Sequence, residues 1–332
     1  MDKFTKKYNR YRTEIEGIIN SSITKDAPSG LYQPIKYILK SGGKKIRPLL
    51  TLFVCEALGG NYKEALYAAS AIEMLHTFTL VHDDIMDNAD TRRGLETIHK
   101  KWDRDTAILV GDQLVGISYQ CLLKTREIYL KEILDCFTNG IIEVCEGQAL
   151  DKEFETKNNI TTDEYLLMIE KKTAKLLEVS AEIGFIISNS RNVRIRRAIK
   201  NFALNLGLSF QLQDDMLDII GDEKKFGKVI GGDIRQGKKT FLLIKALELA
   251  TDKNDKEKLL RILNTKDKTR IISKKFISEI KNIYIKYNII DLLISLTEKY
   301  ISSANDSLKI ISNEKGFNLL RWYSNMLLER KY

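Results

Sequence analysis

The chain has 332 residues, 43% of them hydrophobic and three of them proline, which is enough apolar material for a sizeable core with few obstacles to long helices. Its net charge is +9, but much of this comes from lysines interleaved with acidic residues, as over 252–281, which marks a solvated face; with no zinc pattern or glycine-aromatic signature beside it, charge alone does not make the chain a nucleic-acid binder, which stays a remote rival. No run reaches the roughly 18 apolar residues of a membrane span, and the basic start MDKFTKKYNRYR leads to Glu14 and Glu16 instead of a secretory core.

Apolar spacing of three and four residues recurs from end to end, and alternating strand-like runs are nearly absent, which predicts an all-α chain. Breaks at 27–30, 41–43, 59–61, 88–94, 157–162, 188–192 and 221–237 divide it into about ten helices; the brief alternation at 228–234 reads as loop. Thr161-Thr162-Asp163-Glu164 has the form of a helix start, and the basic stretch 191–200 that of an exposed connector leading into a helix. No glycine-serine or proline-rich linker occurs, so residues 1–332 read as a single helical-bundle domain. Cys55, Cys121, Cys136 and Cys145 fall singly in apolar segments and read as reduced core residues of a cytoplasmic protein.

Five segments carry chemistry. The first, Ser41-Gly42-Gly43-Lys44-Lys45-Ile46-Arg47-Pro48, sets cations beside a double glycine at a helix start, a good place for an anion. Next, the apolar run 65–81 ends in Asp83-Asp84-Ile85-Met86-Asp87, with Arg92-Arg93-Gly94 close behind and His76 two turns before Asp83. Lys172-Thr173 then lies mid-helix among apolar neighbours. The apolar run 199–212 ends in a second acidic cluster, Asp214-Asp215-Met216-Leu217-Asp218. Last comes a glycine-lysine loop, Gly227-Lys228, Gly231-Gly232-Asp233 and Gly237-Lys238-Lys239-Thr240. That loop does not fit GxxxxGK[ST], which disfavours a nucleotide cradle. None of the three histidines sits beside a serine or cysteine as base to nucleophile, so there is no hydrolase triad.

The repeated acidic cluster is the strongest signal. Three carboxylates within five residues repel one another, and the negative end of a helix macrodipole worsens the repulsion. A chain that accepts this twice, at the ends of apolar helices, needs a hard divalent ion between the acids. Mg²⁺ is the natural candidate, and it takes phosphate oxygens as further ligands. The two clusters are expected to face each other across the mouth of a bundle whose core is the binding cavity.

These blocks resemble the trans-type isoprenyl diphosphate synthases (polyprenyl synthetases). The match rests on GGKKIRP at 42–48, HTFTLVHDDIMDNADTRRG at 76–94, KKTAKL at 171–176, FQLQDDMLD at 210–218 and GKVIGGDIRQGKKT at 227–240, with a basic-apolar ending at 327–331. The resemblance implies an all-α bundle around a deep central cavity, a homodimer, and elongation of an allylic diphosphate by isopentenyl diphosphate. It implies that Asp83, Asp84, Asp87, Asp214 and Asp218 bind about three Mg²⁺, with Asp215 in support. Arg92, Lys172, Lys228 and Lys238 then resemble contacts to the allylic diphosphate, and Thr173 and Gln211 the dipoles near its developing cation. Lys44, Arg47, His76 and Arg93 resemble the isopentenyl diphosphate pocket. Lys45 stands where arginine is frequent in that family.

The uninterrupted first DDxxD and Phe78, five residues before Asp83, resemble archaeal-type geranylgeranyl diphosphate synthases. On this likeness Thr79, Phe78 and Leu75 set product length, with farnesyl diphosphate synthase or a bifunctional farnesyl/geranylgeranyl enzyme as the alternative. Two rivals share part of the pattern. A class I terpene cyclase would lack the second diphosphate pocket, and a non-catalytic synthase subunit would lack some of the six aspartates.

Overall fold

The computed structural model of the protein describes residues 2–157, 159–221, 231–263 and 273–328. The described residues contain sixteen α-helices and, for strands, only a two-residue antiparallel hairpin. The helices are α1 (Lys3–Ser22), α2 (Ser29–Leu39), α3 (Ile46–Ala57), α4 (Leu66–Met86), α5 (Ile98–Lys101), α6 (Arg104–Leu122), α7 (Glu127–Thr156) and α8 (Thr162–Ile169). They continue with α9 (Lys175–Ile187), α10 (Val193–Ile220), α11 (Gly232–Gln236), α12 (Phe241–Leu249), α13 (Lys253–Leu263), α14 (Lys274–Lys286), α15 (Ile289–Ser307) and α16 (Glu314–Leu328). The all-α class is as expected, but the helices are more numerous. The extra boundaries are joints without proline or glycine, such as Asn288, whose left-handed φ of +54° ends α14 and starts α15 inside an unbroken apolar pattern.

The chain divides into two compact units, Met1–Asn139 with Val179–Lys200 and Lys309–Tyr323, and Gly140–Glu178 with Asn201–Leu308 and Ser324–Tyr332. Neither is a continuous segment, so the absence of a linker in the sequence is consistent with this division. In the first unit α4 packs against α6, α3 and α1. Being enclosed on several sides, it buries nearly every residue from Ala68 to Leu75 and shows no one-sided stripe. Asp2 and Asp103 cap α1 and α6 through side-chain bonds to first-turn amides. In the second unit α12 packs on α8, α13 and α15 over a core that includes Phe241, Leu259, Ile280 and Leu293. Thr161 and Glu164 make the reciprocal capping box that the sequence foretold.

Two smaller expectations need correcting. Cys55 and Cys121 are core residues, but Cys136 is only half-buried and Cys145 is exposed. Both lie on α7, whose apolar pattern is too weak to tell an inner face from an outer one. The basic stretch 191–200 does open α10 behind an Asn192 cap; within it Arg196 and Lys200 are paired with Glu182.

Candidate active site

In the first unit, α4 carries its acids in its last turn, with Asp87 as C-cap. The helix stops in a Schellman arrangement. Asn88 takes φ +50°, its amide bonds Ile85 O at 3.3 Å, and the amide of Ala89 bonds Asp84 O at 3.0 Å. The stop leaves Asp83 and Asp87 half-buried while Asp84 is sealed from water. Burial pushes the Asp84 carboxyl up to about 6, against the pull of Arg92, whose Nε donates to Asp84 Oδ1 at 2.7 Å.

Arg92 sits where it does because residues 91–96 form a tight hairpin, Thr91 opposite Glu96 and Arg92 opposite Leu95. Its two loop residues, Arg93 and Gly94, have φ of +52° and +77°, as a type I′ turn requires. The sequence showed only a break here. Arg93 Nη1 donates to Gly42 O at 2.6 Å, and the guanidinium lies against Gly43, 2.5 Å from where a Cβ would sit. The double glycine therefore gives this arginine its room.

The segment after Gly43 brings the other expected cations together. Arg47 Nη1 donates to His76 Nε2 at 3.2 Å, which requires the neutral ring. Burial holds His76 well below its ordinary value, and Arg47, Arg93, Arg92 and Lys45 push it further down. A neutral histidine among four cations is a setting that calls for an anion. Lys44 is exposed, but Lys45 is not: its ammonium pairs with Glu73 at 3.0 Å, both side chains about 4% exposed. Removing one partner of such a buried pair costs about 3–5 kcal/mol. Glu73 escaped the sequence reading, although a lone acid in the apolar run 65–81 was a usable signal.

In the second unit, α10 ends with Asp214, Asp215 and Asp218 in its last two turns. Asp215 is buried; Tyr165 of α8 donates to its Oδ2 and Gln211 Nε2 to its Oδ1 at 3.0 Å. Burial raises the Asp215 carboxyl, with nearby Asp233 adding to the effect and the two hydrogen bonds opposing it. Thr173 Oγ1 in turn donates to Gln211 Oε1 at 3.0 Å, so Thr173, Gln211, Asp215 and Tyr165 form one chain. Asp218 accepts from the amides of Gly232 and Asp233 at 3.0 and 3.1 Å, where α11 begins. Neither Tyr165 nor Asp233 was among the expected site residues, and no local signal marks Tyr165.

Lys172 and Thr173 lie on a π-helical turn, Glu170–Ala174, between α8 and α9. Lys172 Nζ is 2.6 Å from Asp151 of α7. Two glycines make space for this wider turn: a Cβ at Gly147 of α7 would stand 2.3 Å from Lys172 N, and one at Gly207 of α10 2.5 Å from Ala174 Cα. Lys238 follows α11, its amide bonded to Asp233 O at 2.9 Å. Lys239, its neighbour, holds the carbonyls of Phe154 and Lys157. Lys228 lies outside the described residues. Of the product-length candidates, Leu75 is buried, Thr79 is half-buried with its hydroxyl on His76 O at 2.8 Å, and Phe78 is half-buried, edge-on to His82 at 4.8 Å.

Among the described residues no three His, Cys, Asp or Glu side chains are gathered closely enough to hold an ion unaided. Mg²⁺ suits this donor set, because it keeps several waters, takes phosphate oxygens, and asks for only one or two carboxylates per ion. In each cluster the second aspartate, Asp84 or Asp215, is buried, whereas Asp83, Asp87, Asp214 and Asp218 are half-buried.

A family model described as polyprenyl synthetase matches residues 28–280. A geranylgeranyl diphosphate synthase of Sulfolobus acidocaldarius is 39% identical, with all of both chains covered. A geranylfarnesyl diphosphate synthase of Natronomonas pharaonis is 35% identical over 71% of this chain and 75% of its own. Among solved structures, a geranylgeranyl pyrophosphate synthetase from Pyrococcus horikoshii superimposes with a TM-score of 0.91 at 36% identity, covering 99% of this chain and all of that one. With its acid-tipped helices and cation-bearing turns explained together, the chain belongs to the polyprenyl synthetase family.

Proposed function

We propose that the protein is a Mg²⁺-dependent prenyltransferase that joins isopentenyl diphosphate head-to-tail to an allylic diphosphate, with geranylgeranyl diphosphate as product. The observation that carries this reading is the recurrence of one design. Two apolar helices each end in three aspartates, and each cluster has its own set of lysines, arginines or amides nearby. The geranylgeranyl product is favoured by full-length likeness to the S. acidocaldarius enzyme, the uninterrupted first DDxxD and the half-buried Phe78.

Asp83 and Asp87 with Asp214 and Asp218 would hold about three Mg²⁺, with Asp84 and Asp215 as their inward supports. When bound, the ions supply electrostatic stabilisation to charge building on the departing diphosphate. Neutralising the allylic diphosphate beyond what the ions supply falls to Arg92, Lys172, Lys228 and Lys238. Arg92 and Lys172 are already paired with Asp84 and Asp151, which presets their positions. As the allylic carbon–oxygen bond breaks, the Thr173 hydroxyl and Gln211 amide face the developing cation with fixed dipoles. Lys44, Arg47, His76 and Arg93 hold isopentenyl diphosphate, whose double bond attacks the cation. The new adduct then loses a proton to the released diphosphate.

The enzyme acts as a cytoplasmic homodimer in this reading. Its free thiols fit a reducing compartment, and the outward Leu109 of α6 and Ile128 of α7, 59% and 65% exposed, offer apolar surface to a second copy. No described helix is long and apolar enough to cross a membrane. The test is incubation with isopentenyl diphosphate, Mg²⁺ and each allylic primer in turn, followed by product sizing. A twenty-carbon product is expected, and Phe78→Ala should give longer chains while staying active. A fifteen-carbon product would favour the farnesyl alternative, and no elongation of any primer would overturn the reading.

A further inference from the structure

Between the double glycine and α3 the backbone makes a turn that its residue types do not favour. Lys45 has φ +50°, a left-handed conformation that a lysine keeps only when its surroundings hold it. Its side chain is anchored by the buried pair with Glu73. The carbonyls of the two neighbouring residues are anchored as well, and by helices far apart in sequence. The carbonyl of Lys44 accepts from the hydroxyl of Tyr8 on α1 at 2.7 Å. The carbonyl of Ile46 accepts from the hydroxyl of Tyr323 on α16 at 2.8 Å.

Tyr323 is fully buried, its ring edge-on to Phe53 of α3 at 5.6 Å, and Tyr8 packs edge-on to Trp322 at 6.4 Å. A buried tyrosine hydroxyl needs some partner, so either bond alone would be ordinary. Two such bonds, on the carbonyls of the residues before and after one strained residue, are not explained by that need. Their common effect is to fix the Lys44–Lys45 and Ile46–Arg47 peptide planes, which bracket the turn, while the Lys45 carbonyl between them accepts from Leu49 N at 3.1 Å; together these hold the backbone from which Lys44 and Arg47 project.

We infer that Tyr8 and Tyr323 are positioning residues for the isopentenyl diphosphate pocket, holding the 44–47 turn in its anion-binding shape before substrate arrives; this rests on reading Lys44 and Arg47 as that pocket. A preset turn lets the diphosphate bind without ordering the backbone first. Loss of either hydroxyl leaves the cations in place but loosens their frame. The consequence falls on binding of a diphosphate that does not leave, and so on its Michaelis constant.

The test varies both substrates with the intact enzyme and Mg²⁺, in Tyr8→Phe, Tyr323→Phe and Arg47→Ala. Each tyrosine variant should raise the Michaelis constant for isopentenyl diphosphate roughly three- to tenfold, the range of one lost hydrogen bond. The turnover number and the allylic Michaelis constant should stay within about twofold. Tyr8→Phe keeps the test decisive should the buried Tyr323→Phe fold poorly. If the isopentenyl diphosphate constant is unmoved in the tyrosine variants but rises in Arg47→Ala, the positioning role is wrong and the pocket stands. If Arg47→Ala leaves it unmoved, the pocket assignment itself falls. A loss shared equally by turnover and both Michaelis constants also overturns the positioning role.

Discussion

His76 shows how a single side chain reports the electrostatics around it. Burial and the cations Arg47, Arg93, Arg92 and Lys45 all favour its neutral form, so it stays uncharged at neutral pH. The sign for stability follows. The unfolded chain takes up a proton on this ring near pH 6.5 while the folded chain does not, so His76 lowers stability as pH falls below about 6.5. In an NMR titration of the substrate-free protein, the His76 ring protons should titrate well below 6.5; a midpoint at or above that value would contradict the cation cluster. Arg47, His76 and Arg93, named from two short motifs, do come together in one cluster. What the sequence hid was which lysine turns inward. Lys44 and Lys45 look alike in a row, and only the left-handed turn and Glu73 tell them apart.

At the scale of elements, the helix ends that present the aspartates follow from sequence, because apolar runs and a polar stop such as Asn88 are local signals. The π-turn at Glu170–Ala174 does not, since it depends on what packs beside it. Gly147 and Gly207 look like mild flaws in α7 and α10, yet they are the places where a neighbouring helix would otherwise strike the turn carrying Lys172 and Thr173. Gly147→Ala and Gly207→Ala should each destabilise by about 1–3 kcal/mol, the usual cost of overpacking. They should also lower turnover more than either Michaelis constant changes, because Lys172 and Thr173 shift with the turn. Thermal unfolding and steady-state kinetics on the same samples check both parts, and a variant with normal stability and turnover would show that the turn needs no such room. Tyr165 and Asp233 stayed hidden for the same reason: their contacts to the second cluster are tertiary.

For the molecule as a whole, the all-α class was legible because the apolar period never changes along the chain. The number of helices was not, since joints such as Asn288 leave that period intact. The functional core of the account is the proposal that both acidic clusters are needed for one reaction. Asp83 and Asp214, the half-buried first aspartates of the clusters, test it most directly. Transfer of labelled isopentenyl diphosphate to an allylic primer should be measured at saturating substrate and Mg²⁺ in Asp83→Ala and Asp214→Ala, with folding verified by circular dichroism. Each variant should lose at least roughly 10² to 10³ in turnover, the scale of a lost transition-state electrostatic contact, while remaining folded. Near-normal turnover in either folded variant would contradict the requirement for both clusters.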